Sequence, residues 1–140
     1  MKKLVYAFLI AASASIFIAQ AKAQVIVIAN PGVKATEISK SDLRDVFTGS
    51  ATSLKDGGSV VPVLLKAGAT NEEFLQVYIG KSDSAYRASW RSLVFSGQAS
   101  MPKNLDTEVA VVDFVAHNAG AIGYISKATP HAGVKVLAVR

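Results

Sequence analysis

The chain has 140 residues, a formal net charge of +5 and no cysteine. The missing thiol excludes a disulfide framework, a cysteine zinc site, a thiol nucleophile and a lipid-modified N-terminal cysteine. Lys2, Lys3 and Lys22 all lie before residue 24, so the remainder carries only +2, too little to indicate a nucleic-acid surface.

The first residues carry an export pattern. Lys2 and Lys3 precede an apolar run from Leu4 to Ile18, and Ala21-Lys22-Ala23 supplies a small-x-small exit. This reads as a secretory signal peptide. A membrane anchor needs about 20 apolar residues, and Gln20 and Lys22 interrupt the run too early. We expect residues 1–23 to be removed, with Ala19-Gln20-Ala21 as the alternative site. Residues 24–140 then form a single domain. The product is expected to be periplasmic, soluble and free of the membrane after cleavage, its core held by packing alone.

Gln24-Val25-Ile26-Val27-Ile28-Ala29 is a continuous β-branched run closed by Asn30-Pro31-Gly32, a strand then a turn. Lacking polar alternation, it predicts burial on both faces, as in a parallel sheet flanked by helices. Ser39 or Ser41 caps a short helix in which Leu43, Val46 and Phe47 make the apolar face and Asp42 suits the dipole. Gly49 ends it. Ser82-Asp83-Ser84 opens another helix, with Tyr86, Trp90, Leu93 and Val94 as its stripe and Gly97 as its stop. Gln98 to Asn104 reads as an exposed loop. Leu105, before Asp106 or Thr107, staples a further helix lined by Val111, Phe114 and Val115 and stopped at Asn118-Ala119-Gly120. Residues 121–125 and 134–139 are strands, with Gly123 expected where another backbone packs close. Strands alternating with helices make this α/β.

The stretch with chemical potential is Ser59 to Phe74. Val60 to Leu65 suits a buried strand, Lys66-Ala67-Gly68-Ala69 breaks it, and Thr70 with Glu73 forms a T-x-x-E capping box. A strand, a glycine loop and a helix start leave backbone N–H groups unpaired, and such a place suits an anion. The candidate anion-binding residues are Lys66, Gly68, Ala69 and Thr70. The plain alternative is that Thr70 and Gly68 only cap and turn the chain, with Glu72 and Glu73 answering the helix dipole.

Other side chains read as structural. Arg87 and Arg91 form a solvated face, with an Asp83–Arg87 pair worth a few tenths of a kcal/mol. Trp90 belongs to the core stripe. His117 and His131 lack ligand spacing, so no metal is expected. Glu72 and Glu73 stand about 100° apart on a helix and do not form an acid–base pair. With no nucleophile motif either, neither an enzyme nor a cofactor is expected.

Asp42 to Gly49 (DLRDVFTG), Pro62-Val63, Gly68 and Thr70 ahead of Phe74, and Gly120-Ala121-Ile122-Gly123-Tyr124 together resemble the phosphate-binding proteins of ABC transporters, in order, from Val25 to Val139. GAIGY is the most specific of these. The resemblance is to the short exported members. It implies a single three-layer α/β lobe of a type 2 periplasmic binding protein, with a central mixed sheet of about four strands. The family's loop resembles R-x-x-G-S-G-T. Here it is shorter by about two residues, with Thr70 retained, Gly68 at the serine position and Lys66 standing for the arginine as a point charge. The implied function is binding of phosphate or another small anion, with an ABC transporter or a periplasmic protein as partner. A rival reading is an interaction module that keeps the lobe as a scaffold.

Overall fold

The computed structural model describes residues 24–55 and 58–140, so the leader expected over 1–23 lies outside the described residues. Strand β1 (Val25–Ala29) is followed by β2 (Glu37–Ile38), helix α1 (Lys40–Phe47), and the small hairpin of β3 (Ser53–Leu54) and β4 (Gly58–Ser59). Then come β5 (Val61–Leu65), α2 (Ala69–Phe74) with a π-helical turn at Leu75–Ile79, and α3 (Asp83–Phe95). Strand β6 (Lys103–Leu105), α4 (Glu108–His117), β7 (Ala121–Ser126) and β8 (Lys135–Val139) complete the chain.

The main sheet has six strands, ordered β2-β8-β1-β7-β5-β6, where about four were expected. The additions are the short edge strands: β2 has two residues and β6 three, too few for a readable alternation. β6 also corrects the exposed loop expected over Gln98 to Asn104, since Lys103 to Leu105 pair with Val63 to Leu65 and Pro102 is buried.

The apolar run of β1 is interior, but its direction differs from the parallel expectation. It lies antiparallel to both β7 and β8, whereas β5 runs parallel to β7 and β6. A continuous apolar run reports burial on two faces, not strand polarity. Both faces of this sheet are covered by helices, which produces the same pattern.

Strand β7 displays the layering. Successive side chains point to opposite faces. Tyr124 stacks on Phe74 of α2, with ring centroids 3.8 Å apart and planes 2° apart, and meets Phe47 of α1 edge-on. Gly123 faces the other way, onto α4. A Cβ there would lie 2.8 Å from Val111 Cγ1 and 3.3 Å from Val115 Cγ2. The close approach expected at Gly123 is therefore to side chains of α4, not to a backbone.

Local signals set the helix ends. Ser39, rather than Ser41, caps α1, its Oγ accepting from the Asp42 N–H at 3.1 Å. Ser82 caps α3 and Thr107 caps α4 in the same manner. On α3, Tyr86 and Trp90 are the buried residues. The Tyr86 hydroxyl and Trp90 Nε1 both donate to the Phe47 carbonyl at the end of α1, which ties the two helices together. Trp90 is core, as its stripe indicates.

Candidate functional site

The segment Lys66 to Thr70 leaves the C-terminal end of β5, which lies between β7 and the edge strand β6. Gly68 is the N-cap of α2, at φ 107°, ψ 171°, a conformation open to glycine, and it gives no side-chain cap. The T-x-x-E capping box does not form. Thr70 is the second helical residue, its hydroxyl turned away to donate to Glu108 Oε2 at 3.2 Å, and Glu73 accepts from the Gln24 N–H at 3.0 Å. The N–H groups of the first turn have no intrahelical acceptor, as at any helix start.

Gly68, Ala69 and Thr70 line one open recess of about 360 Å³ together with Leu65, Ala67, Asp106, Thr107 and Glu108. Lys66 stands beside it, its Nζ 3.1 Å from Asp106 Oδ1. Both partners are exposed, at 57% for Lys66 and 77% for Asp106, so this pair contributes little and an incoming anion can compete for the lysine. The four candidate residues are thus brought together. What sequence reasoning missed is that two carboxylates, Asp106 and Glu108, face them from the start of α4. The one signal was acidic residues at a helix start, which the dipole alone explains.

A buried polar chain fixes the recess from below. The Leu65 N–H donates to the Tyr124 hydroxyl at 3.1 Å, which donates to Asn71 Oδ1 at 2.5 Å, and Asn71 Nδ2 donates to Asp83 Oδ1 at 2.8 Å. Arg87 closes the circuit. Its Nε lies 3.1 Å from both Asp83 oxygens, and its Nη1 donates to Asn104 Oδ1 at 2.6 Å. Its Nη2 donates to the carbonyls of Leu65 and Lys66 at 2.7 and 2.8 Å. The solvated face expected for Arg87 is corrected: it is partly buried and clamps the loop. Desolvation raises the ionisation of Tyr124 to about 12, so its hydroxyl is present as donor and acceptor throughout the neutral range.

Elsewhere, a more enclosed cavity of about 140 Å³ lies between Val33, Leu54, Val60 and Gly120, with Lys34 and Ser59 as its polar side chains. The histidines bond to chain neighbours, His117 Nδ1 at 2.8 Å from the Asp113 carbonyl and His131 Nδ1 at 2.8 Å from that of Thr129. Among the described residues no group of three metal-ligating side chains occurs, and no helix is long and apolar enough to cross a membrane.

The mixed sheet of six strands is covered by helices and carries a loop recess at the C-terminal end of β5. No family model matches the sequence, and no curated protein matches it. Solved structures do. An ABC-type phosphate transport receptor from Vibrio cholerae superposes with a TM-score of 0.65 at 18% identity, over 83% of this chain and 46% of the receptor. PstS from Borrelia burgdorferi gives 0.64 at 15% identity, over 84% and 47%. A phosphate binding protein from Stenotrophomonas maltophilia gives 0.57 at 17%, over 83% and 39%. The chain shares their fold and spans less than half the length of these proteins.

Proposed function

We propose that residues 24–140 form an exported, non-enzymatic receptor-type domain of the periplasm that holds phosphate or another small oxyanion weakly, through Lys66 and the N–H groups around Gly68, Ala69 and Thr70. The observation that carries this reading is the open recess at that loop, where an exposed lysine stands beside an uncapped helix start. The facing carboxylates Asp106 and Glu108 set the affinity low, because an anion must displace or approach two negative charges. Calorimetric titration of the protein lacking residues 1–23 with phosphate and sulfate tests this. Millimolar binding that Lys66→Ala weakens several-fold is expected. No heat and no thermal shift at tens of millimolar anion would sink the claim.

A second reading, an interaction module for a transporter or another periplasmic protein, is favoured by one feature. Phe95, at the end of α3, is 96% exposed, and Val94 and Met101 are exposed as well. Exposed apolar side chains offer a contact to a partner where they lie together as a patch. Sedimentation of wild type and Phe95→Ser separates the readings. Concentration-dependent association lost in the variant supports the module, and a monomer in both counts against self-association through this residue.

A further inference from the structure

The Glu108 carboxylate is held by three donors from two segments, α2 and the end of β7 with the turn that follows it. Its Oε2 accepts from the Thr70 hydroxyl at 3.2 Å. Its Oε1 accepts from the Ser126 N–H at the end of β7 and from the Thr129 hydroxyl in the β7–β8 turn at 3.1 Å. Acidic residues at a helix start ordinarily face solvent and answer the dipole of their own helix. Glu108 is half-buried and turned across to α2 and β7. Charge-assisted hydrogen bonds of this kind are about twice as strong as neutral ones. Removing the carboxylate leaves a backbone N–H and two hydroxyls arranged around the space of one small anion.

We infer that Glu108 is a built-in anion: its carboxylate fills a three-donor seat formed by Thr70, Ser126 and Thr129, and it is the residue that keeps free carboxylates and oxyanions out of that seat. The donors define the ligand class. Two of them converge on one oxygen and the third meets the other, a spacing that fits a planar carboxylate such as formate or acetate. Larger tetrahedral oxyanions need the additional room of the adjoining recess. Thr70 is thereby withdrawn from any ligand at the loop, leaving Lys66 and the backbone N–H groups to bind it. The inference shares Thr70 with the weak-binding reading above and rests on that reading for its functional meaning, but the two fail separately.

The test is chemical rescue in Glu108→Ala. The variant is expected to melt at a lower temperature than wild type. Formate or acetate is expected to raise its melting temperature saturably, at matched ionic strength against chloride. Wild type and Glu108→Gln, whose seats are filled, should not respond. Should Glu108→Ala prove too unstable to isolate, Glu108→Asp provides the second arm, its shorter side chain withdrawing the carboxylate from the Ser126 N–H. There, exchange of the Ser126 amide proton should accelerate at least about tenfold, the equivalent of one ordinary hydrogen bond, and acetate, still repelled by the Asp carboxylate, should not slow it. An equal response to chloride and acetate overturns the inference, and so does rescue of wild type to the same extent or an unchanged Ser126 exchange rate. Phosphate binding by wild type with no rescue in Glu108→Ala and no faster Ser126 exchange in Glu108→Asp would remove the built-in anion and leave the weak site standing. Rescue without any wild-type binding would do the reverse.

Discussion

The Tyr124 hydroxyl is shared between the Leu65 N–H, 3.1 Å away, and Asn71 Oδ1, 2.5 Å away, and this one oxygen joins β7 to both sides of the loop that carries Lys66. Asn71 and Tyr124 are buried, 1% and 0% exposed, so no solvent replaces the oxygen if it is deleted. Tyr124→Phe keeps the stack on Phe74 but orphans an N–H and an amide oxygen. A loss of about 1–3 kcal/mol is expected, read as a lower denaturant midpoint with an unchanged slope.

The two buried tyrosines make the fold sensitive to alkali. Burial raises the Tyr124 hydroxyl to about 12 and Tyr86 higher still. An unfolded chain ionises its tyrosines near pH 10. Above that pH the unfolded state binds fewer protons than the native state, so stability falls as pH rises. The contribution is fully present below about pH 10 and is lost for Tyr124 between about 10 and 12, at about 1.4 kcal/mol per pH unit for each group. Denaturation midpoints at pH 9, 10 and 11 should therefore fall after the second point. A flat profile would contradict the burial of these hydroxyls.

Arg87 clamps the carbonyls of Leu65 and Lys66, Asn104 and Asp83 at once. Arg87→Ala removes these bonds and leaves the Asp83 carboxylate without its cation, with an expected cost of about 2–4 kcal/mol. The loop itself should loosen, so amide exchange at Lys66 and Ala67 is expected to quicken more than exchange in α4. Arg91→Ala, on the exposed side of the same helix, is the control, with a change within about 0.5 kcal/mol.

Gly123 leaves no room for a methyl group. Gly123→Ala would drive a carbon against Val111 and Val115, the two buried residues of α4. Overpacking of this kind costs about 1–3 kcal/mol. Adding Val111→Ala, which clears the 2.8 Å contact, should recover part of the methyl's cost. The double-mutant cycle on melting temperature checks this, and strictly additive losses would argue against direct packing.

How far the sequence reaches is clearest where local and distant causes meet. The burial of β1 was legible in its unbroken apolar run, and Tyr86 and Trp90 in their four-residue spacing. The caps were legible as polar residues at the edge of an apolar period, as Ser39 or Ser41, Ser82 to Ser84, and Asp106 or Thr107, and the structure chose Ser39, Ser82 and Thr107. Each depends on residues within a turn or two. Thr70 was misread as a cap because T-x-x-E satisfies a local rule, while its actual acceptor, Glu108, lies 38 positions away. Arg87 was read as solvent-facing for the same reason, its carbonyl partners at Leu65 and Lys66 being 22 and 21 positions away.

By itself, then, the sequence determined the longer strands and helices, most of their buried positions, and that a glycine loop joins β5 to a helix. Burial period and capping chemistry act over a few residues and are written in them. Only the tertiary structure decided that β1 runs antiparallel to its neighbours and that the edge strands bring the sheet to six. The tertiary structure also placed Asp106 and Glu108 across from Lys66 and Thr70. The charge of a recess is a sum over side chains that meet in space, and folding brought these acids to the loop from the far side of α3.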